Sequence, residues 1–289
     1  MFVQNPKFIF FGTPRFAVFV LEELAAARFT PSLIVTAPDK PQGRNLLITP
    51  PPVKKWAVEH DISTLQPETL DAVFTNTLQA TNHDLFIVAA YGKILPKELL
   101  DVPKFGTLNI HPSLLPKFRG ASPVRSAILS DERATGVSIM LLDEKMDHGP
   151  IVAQASIEIE KEDWPPPARV LEEMLAREGG KLLAEVIPDF ISGKVTPEPQ
   201  DDSQATYCKK IKKEDGLLDL TADPYQNFLK IRAYDGWPGA YFFVEHGDKE
   251  MRVKITDAEF REGKLLITKV IPEGKREMSY TIFKELDRK

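Results

Sequence analysis

Near its amino end the chain alternates short apolar blocks with stretches of helical spacing. Phe8 to Phe11 is an unbroken apolar run closed by Gly12, the pattern of a strand buried on both faces. Pro14 opens a segment with Phe16, Val20, Leu21 and Leu24 on one helical face. Leu33 to Val35 predicts the next strand, Val53 to His60 a helix, Asp84 to Ala90 a strand, and Thr107 to His111 another. Such alternation predicts an α/β fold with a mostly parallel sheet covered on both faces. Gly136 to Met140 and Ile151 to Ala155 alternate apolar and polar positions, as antiparallel or peripheral strands do. A long helix is expected from Ala168 to Phe190, after three prolines at 165–167.

The segment from Ser192 is rich in Pro, Ser, Asp and Gln and predicts a linker over 192–205. Beyond it, Pro224 to Tyr234 has helical spacing. Short alternating segments then follow (Tyr241–Val244, Arg252–Ile255, Lys264–Ile267), punctuated by Gly247, Gly263 and Gly274. Closely spaced strands with glycine turns suggest a small β-barrel. The expected division is therefore 1–191, a linker, and 206–289.

At 289 residues the chain has room for two domains, and its 43% hydrophobic and 27% charged residues are those of an ordinary globular protein. Net charge is −5, but unevenly spread. Residues 206–289 carry a net +2 and the rest −7, which is compatible with RNA contact by the carboxy-terminal part. One cysteine, Cys208, excludes an internal disulfide and a multi-cysteine zinc site. The amino end does not have the form of a signal peptide, and no run approaches the ~20 apolar residues of a membrane span. A cytoplasmic location is expected, with no membrane association.

The turn at Gly12-Thr13-Pro14 joins a strand to a helix, yet it has one glycine where a dinucleotide fingerprint needs three. The chemistry points instead to NIHPSLLPKFRGASP, starting at Asn109. In a strand, Asn109 and His111 share a face, at the carboxyl edge where open α/β sheets bind ligands. LLDEKMDHGP, starting at Leu141, places Asp147 in a polar loop. An amide that stabilises an oxyanion, an imidazole that takes a proton and a carboxylate that holds it suffice for acyl-type transfer to an amine. Ser113 is close to His111 but lacks a Gly-x-Ser-x-Gly elbow. His60, His83 and His246 are assigned to packing or surface, and His148 is a candidate because it adjoins Asp147.

These two motifs, together with FFGTPRFAVFVLEEL from Phe10 and VAAYGKILP from Val88, resemble the 10-formyltetrahydrofolate-dependent formyltransferases. ATYCKKIKKEDGLLDL from Ala205 and KIRAYDGWPGAYFF from Lys230 resemble the branch that formylates initiator methionyl-tRNA. The resemblance implies a Rossmann-like catalytic domain followed by an OB-like barrel. It implies Asn109, His111 and Asp147 as the catalytic trio, with no metal. It further implies that Ser113, Leu114, Leu115 and Pro116 line the folate site, beside Val88, Ala89, Ala90 and Tyr91. Position 148 departs from the family pattern, which more often has threonine there.

Pro38 to Pro52 reads as a long loop without regular structure, a kind that is often functional. Lys40 and Arg44 are its cations, and the resemblance directs them to the tRNA acceptor end. Leu46 and Leu47 stand where the family often has lysines, so apolar wedging or stacking on the RNA end is the alternative mode. Lys209, Lys210, Lys212 and Lys213 are either a solvated face or a track for phosphates. Two other readings stand beside this one: a sugar-nucleotide amine formyltransferase with the same trio, and an RNA-binding barrel on an inert platform. A monomer is the default state.

Overall fold

The computed structural model describes residues 6–42, 46–246 and 249–287. In chain order its first elements are β1 (Phe8–Gly12), α1 (Arg15–Ala26), β2 (Leu33–Val35), β3 (Lys40–Gln42), β4 (Leu47–Thr49), α2 (Pro52–Glu59), β5 (Thr64–Leu65), α3 (Ala72–Gln79), β6 (Leu85–Ala89), α4 (Lys97–Leu100) and β7 (Thr107–His111). There follow β8 (Arg119–Gly120), α5 (Pro123–Leu129), β9 (Thr135–Leu141), β10 (Ile151–Ile157), α6 (Ala168–Ile191) and β11 (Tyr207–Cys208). The last are α7 (Pro224–Ala233), β12 (Tyr241–His246), β13 (Lys249–Arg261), β14 (Lys264–Pro272), β15 (Met278–Ser279) and α8 (Tyr280–Asp287). Among the described residues no helix is long and apolar enough to cross a membrane.

The chain divides into two compact units, and the division does not follow a single cut. The first holds residues up to 119, 136–157 and 172–207, and the second holds 120–135, 158–171 and 208–289.

In the first unit seven strands form one sheet in the order β10-β9-β7-β6-β1-β2-β5. β5, β2, β1, β6 and β7 are parallel, as the alternating pattern predicts. Chain order reverses between β1 and β6, so their carboxyl ends at Gly12 and Ala89 flank the switch point where such sheets open a ligand crevice. β9 is antiparallel to β7, as expected, but its side chains are almost all buried because β10 and not β9 is the sheet edge. Helix α6 lies close on β7 and β9: a Cβ on Gly179 would sit 2.6 Å from Ile110 and 2.9 Å from Val137. Arg177 ties the same helix to α1 through Glu23 at 2.9 Å and Glu22 at 3.1 Å.

One expectation changes here. The 38–52 segment is not a structureless loop, because β3 and β4 pair as a hairpin, with Lys40 opposite Thr49 and Pro41 opposite Ile48. Proline is tolerated because a two-stranded ribbon leaves one N–H row unpaired. Asp39 pins the hairpin base, accepting from Gln66 at 2.7 Å and from Lys54 at 2.8 Å, and these two contacts hold its carboxyl below the usual range. Residues 43–45, with Arg44, lie outside the described residues. Within the 192–205 segment, Glu198 exchanges both backbone hydrogen bonds with Ile151 at 2.8 Å.

In the second unit, β12, β13, β14 and β15 form an antiparallel meander consistent with a small barrel-like domain. Phe242, Val253, Ile255, Val270 and Phe283 fill its core. β13 is longer than the short strands expected, and a register shift around Asp257 lets it bend. Helix α5 packs on α7, and Asp131 accepts from Trp164 at 2.6 Å and Tyr225 at 2.9 Å.

Candidate active site

β7 carries Asn109 and His111 on one face, at 8% and 4% exposure. His111 Nε2 lies 2.9 Å from the carbonyl oxygen of Phe118. A carbonyl only accepts, so Nε2 carries the hydrogen and Nδ1 is the lone-pair nitrogen of the neutral ring. Nδ1 faces Asp147 Oδ1 at 3.7 Å. Phe118 holds its carbonyl there from a left-handed conformation, φ 58°, with its N–H donating to Thr206 at 2.8 Å. The Asn109 amide makes no side-chain hydrogen bond among the described residues. The structure thus brings the three expected residues into one neighbourhood on β7 and the loop after β9.

The route by which Asp147 arrives is less direct. β9 runs from Ser138, opposite His111, to Leu141, opposite Leu108, and so leaves at the far end of β7. The 142–149 loop must turn back. Asp147 turns with φ 49°, and Gly149 packs so tightly that a Cβ would lie 1.9 Å from the Leu141 carbonyl oxygen. Gln200 fastens the loop, its side-chain amide donating to the carbonyls of Asp147 at 3.0 Å and Gly149 at 2.7 Å. Gln200 in turn accepts from Arg119 Nε at 2.9 Å.

Arg119 is wholly buried, with its guanidinium 2.9 Å from Asp202 and 3.3 Å from the Tyr207 hydroxyl. Burial opposes its charge, but Tyr207 and Asp202 outweigh that and raise its pKa. The sequence motif contains Arg119 without revealing its burial, and nothing in the sequence singles out Gln200 or Asp202. His148 sits between Asp143 at 2.7 Å and Asp202 at 3.4 Å, so its ring belongs to this supporting network.

The backbone of the strap after His111 is held by two side chains, Ser138 and Gln154. Ser138 Oγ donates to the Ser113 carbonyl at 2.6 Å and accepts from Leu115 N–H at 3.0 Å. Gln154 donates to the Leu115 carbonyl at 2.9 Å and to Ser138 Oγ at 2.8 Å. Leu115–Pro116 is cis. Ser113 Oγ donates to the Lys117 carbonyl at 2.6 Å, which commits the hydroxyl a serine nucleophile would need. At the switch point the Tyr91 carbonyl accepts from Thr13 at 3.1 Å. Burial pushes the Tyr91 phenol up to about 12, and its hydroxyl has no partner among the described residues. Of the eight expected folate-site residues, Ala90 is exposed and Leu114 and Pro116 are half-buried, whereas Val88, Ala89, Tyr91, Ser113 and Leu115 are buried.

Lys40 is exposed on β3, and Leu46, Leu47 and Ile48 are 70%, 67% and 67% exposed on the same hairpin. In the second unit Lys209, Lys210, Lys212 and Lys213 are all exposed. His60 stacks on Trp56, and His83 is buried among hydroxyls, as packing residues do. The His246 side chain lies outside the described structure. Among the described residues no group of three or more His, Cys, Asp or Glu is placed to hold a metal ion.

Residues 6–187 match the family model described as formyl transferase, and residues 210–264 match that of the formyl transferase C-terminal domain. The chain is 49% identical over 240 residues to the methionyl-tRNA formyltransferase of Chloroflexus aurantiacus, covering 82% of this chain and 76% of that one. It is 38% identical over 295 residues to the methionyl-tRNA formyltransferase of Halorhodospira halophila, covering 94% of each. A solved sugar N-formyltransferase from a Shewanella species has a TM-score of 0.63 over 86% of this chain and 96% of its own, at 17% identity, a likeness of fold alone.

Proposed function

The chain belongs to the formyl transferase family, and we propose that it moves a formyl group from 10-formyltetrahydrofolate to the amino group of methionine carried on initiator tRNA. The observation that carries the chemistry is the His111–Asp147 pair beside Asn109, with the outer ring nitrogen tied to the Phe118 carbonyl. The neutral amine adds to the formyl carbon, forming a C–N bond. Asn109 donates to the oxygen that gathers charge. The proton released by the amine passes to the Nδ1–Asp147 pair and from there to the folate nitrogen as its bond to the formyl carbon breaks. Nδ1 is the ring atom left for this, since Nε2 is already a donor.

The folate residues fit this scheme. The sheet's order reverses between β1 and β6, where such sheets take ligands, and the exposed Ala90 and half-buried Leu114 and Pro116 would offer apolar surface to a flat ring. Residues 1–191 supply the chemistry and 206–289 hold the RNA, a division supported by separate family models over 6–187 and 210–264. Lys40 and Arg44, with the exposed Leu46, Leu47 and Ile48, meet the acceptor end, and Lys209, Lys210, Lys212 and Lys213 track phosphates. The enzyme acts in the cytoplasm as a monomer, which light scattering of the purified protein checks.

One assay tests the reading. Formyl transfer from 10-formyltetrahydrofolate is measured with methionyl-tRNA and with an amino-sugar nucleotide as acceptors. Transfer to the tRNA alone is expected, and transfer to the sugar alone contradicts it. Reversing the charge of the four lysines should flatten the salt dependence of tRNA binding, by a slope of about 0.7–0.9 for each phosphate that is no longer neutralised. An unchanged slope removes them from the RNA site.

A further inference from the structure

His111 and Asp147 come from different elements, and their separation depends on two backbone carbonyls being held in place. The Phe118 carbonyl fixes the ring by accepting from Nε2 at 2.9 Å. The Asp147 carbonyl fixes the carboxylate's own residue by accepting from Gln200 at 3.0 Å. Arg119 joins the two. Its backbone follows Phe118 directly, its N–H donates to the Thr206 carbonyl at 2.8 Å, and its guanidinium Nε donates to Gln200 Oε1 at 2.9 Å. Both ends of the Gln200 amide are therefore committed, one to the arginine after the carbonyl that anchors the ring, the other to the loop that bears the acid.

We infer that Gln200, seated on the buried Arg119, is a positioning residue that sets the His111–Asp147 separation by clamping the 147–149 loop to the strand that anchors the imidazole. This rests on the catalytic assignment of His111 and Asp147 proposed above. Gln200 touches neither reacting atom. Its amide suits the task because one group must donate twice to carbonyls and accept once from a guanidinium. Glutamate at this position would keep the acceptor and lose the donors, and leucine would lose both. The loop needs such a fastening because Asp147 turns in the left-handed region, at φ 49°, which costs a residue other than glycine free energy. An ångström of slack between acid and base is a large error for catalysis, of the order of 100-fold in rate.

The test uses the whole enzyme and formyl transfer to methionyl-tRNA, comparing wild type with Gln200→Leu, Gln200→Glu, Asp147→Asn and Gln200→Leu with Asp147→Asn. Expected is a fall of kcat by about 10- to 100-fold in both Gln200 variants, with KM for the folate within about twofold. In the Asp147→Asn background, adding Gln200→Leu should cost little more, because the clamp acts through Asp147. Should Gln200→Leu fail to fold, Gln200→Glu carries the comparison, since it keeps the partner of Arg119. Unchanged kcat in the Gln200 variants, a rise in KM at constant kcat, or full additivity in the double variant would each overturn the clamp. If wild type itself fails to formylate any acceptor, the catalytic reading falls and not the clamp alone.

Discussion

His83 and His111 are both buried histidines on the main sheet, but they stand at opposite ends of its strands and their nitrogens are used differently. His83 precedes β6, where Nε2 lies 2.7 Å from Ser32 Oγ and Nδ1 lies 2.6 Å from Thr81 Oγ1. Thr81 already donates to the Leu78 carbonyl, so Nδ1 donates to Thr81, while the one hydrogen of Ser32 lies within reach of both Nε2 and the Phe8 carbonyl at 3.2 Å. Burial first, and then the charge of Lys7, lower its pKa to about 4. His111 ends β7, has one nitrogen tied to a carbonyl, and turns the other toward a carboxylate 3.7 Å away. Burial alone therefore does not separate the histidine proposed for catalysis from one that packs. What separates them is whether a ring nitrogen is left uncommitted and what charge faces it.

The largest contrast is expected in turnover. His111→Ala and Asn109→Ala should each lower kcat by about 100- to 1000-fold while the folate KM changes little. His83→Ala should leave kcat within about twofold and lower the melting temperature instead. Reduced kcat in the His83 variant, measured on folded protein, would erase the distinction.

The second contrast is in acid stability. Because the folded pKa of His83 lies below the ordinary 6.5, the unfolded chain binds the proton more readily between pH 6.5 and about 4. The stability its neutral ring confers is complete above pH 6.5 and lost as pH falls toward 4, with a slope of up to about 1.4 kcal/mol per pH unit. Chemical denaturation of wild type and His83→Asn across that window should show the shallower decline in the variant. Parallel curves would mean that His83 protonates as easily in the fold as out of it.

The smallest contrast sharpens the active-site side alone. A Cβ at Gly136 would sit 2.2 Å from the Ala155 carbonyl oxygen and 2.6 Å from a Leu114 methyl. Gly136→Ala should displace the strap after His111 and raise the folate KM roughly fivefold, about 1 kcal/mol of binding. His83 should feel nothing, so the acid-stability profile should keep its shape. A folate KM equal to wild type would take Leu114 out of the folate site.

The strands of the parallel sheet were legible because each is a short apolar block bounded by glycine, proline or polar residues, as at Phe8–Gly12 and Leu85–Ala89. Asn109 and His111 were legible because residues two apart share a face of any strand. What could not be read was set by tertiary geometry. Nothing local shows that β9 departs from the wrong end of β7, or that Asp147 must be turned back to meet the ring. The 38–52 segment reads as a loop, yet it pairs as a two-stranded ribbon that accommodates Pro41. Arg119, Gln200 and Asp202 look like ordinary polar residues in sequence, and only the fold reveals a buried guanidinium holding a strap that composition marks as a linker.

The pairing of His111 with Asp147 is tested most directly by a single-turnover measurement on Asp147→Asn, with folate and methionyl-tRNA saturating. This substitution keeps the size of the side chain and removes its charge. We expect formyl transfer to slow by at least about 100-fold, with folate affinity within twofold of wild type. Transfer at the wild-type rate would mean that the carboxylate facing Nδ1 takes no part in moving the proton.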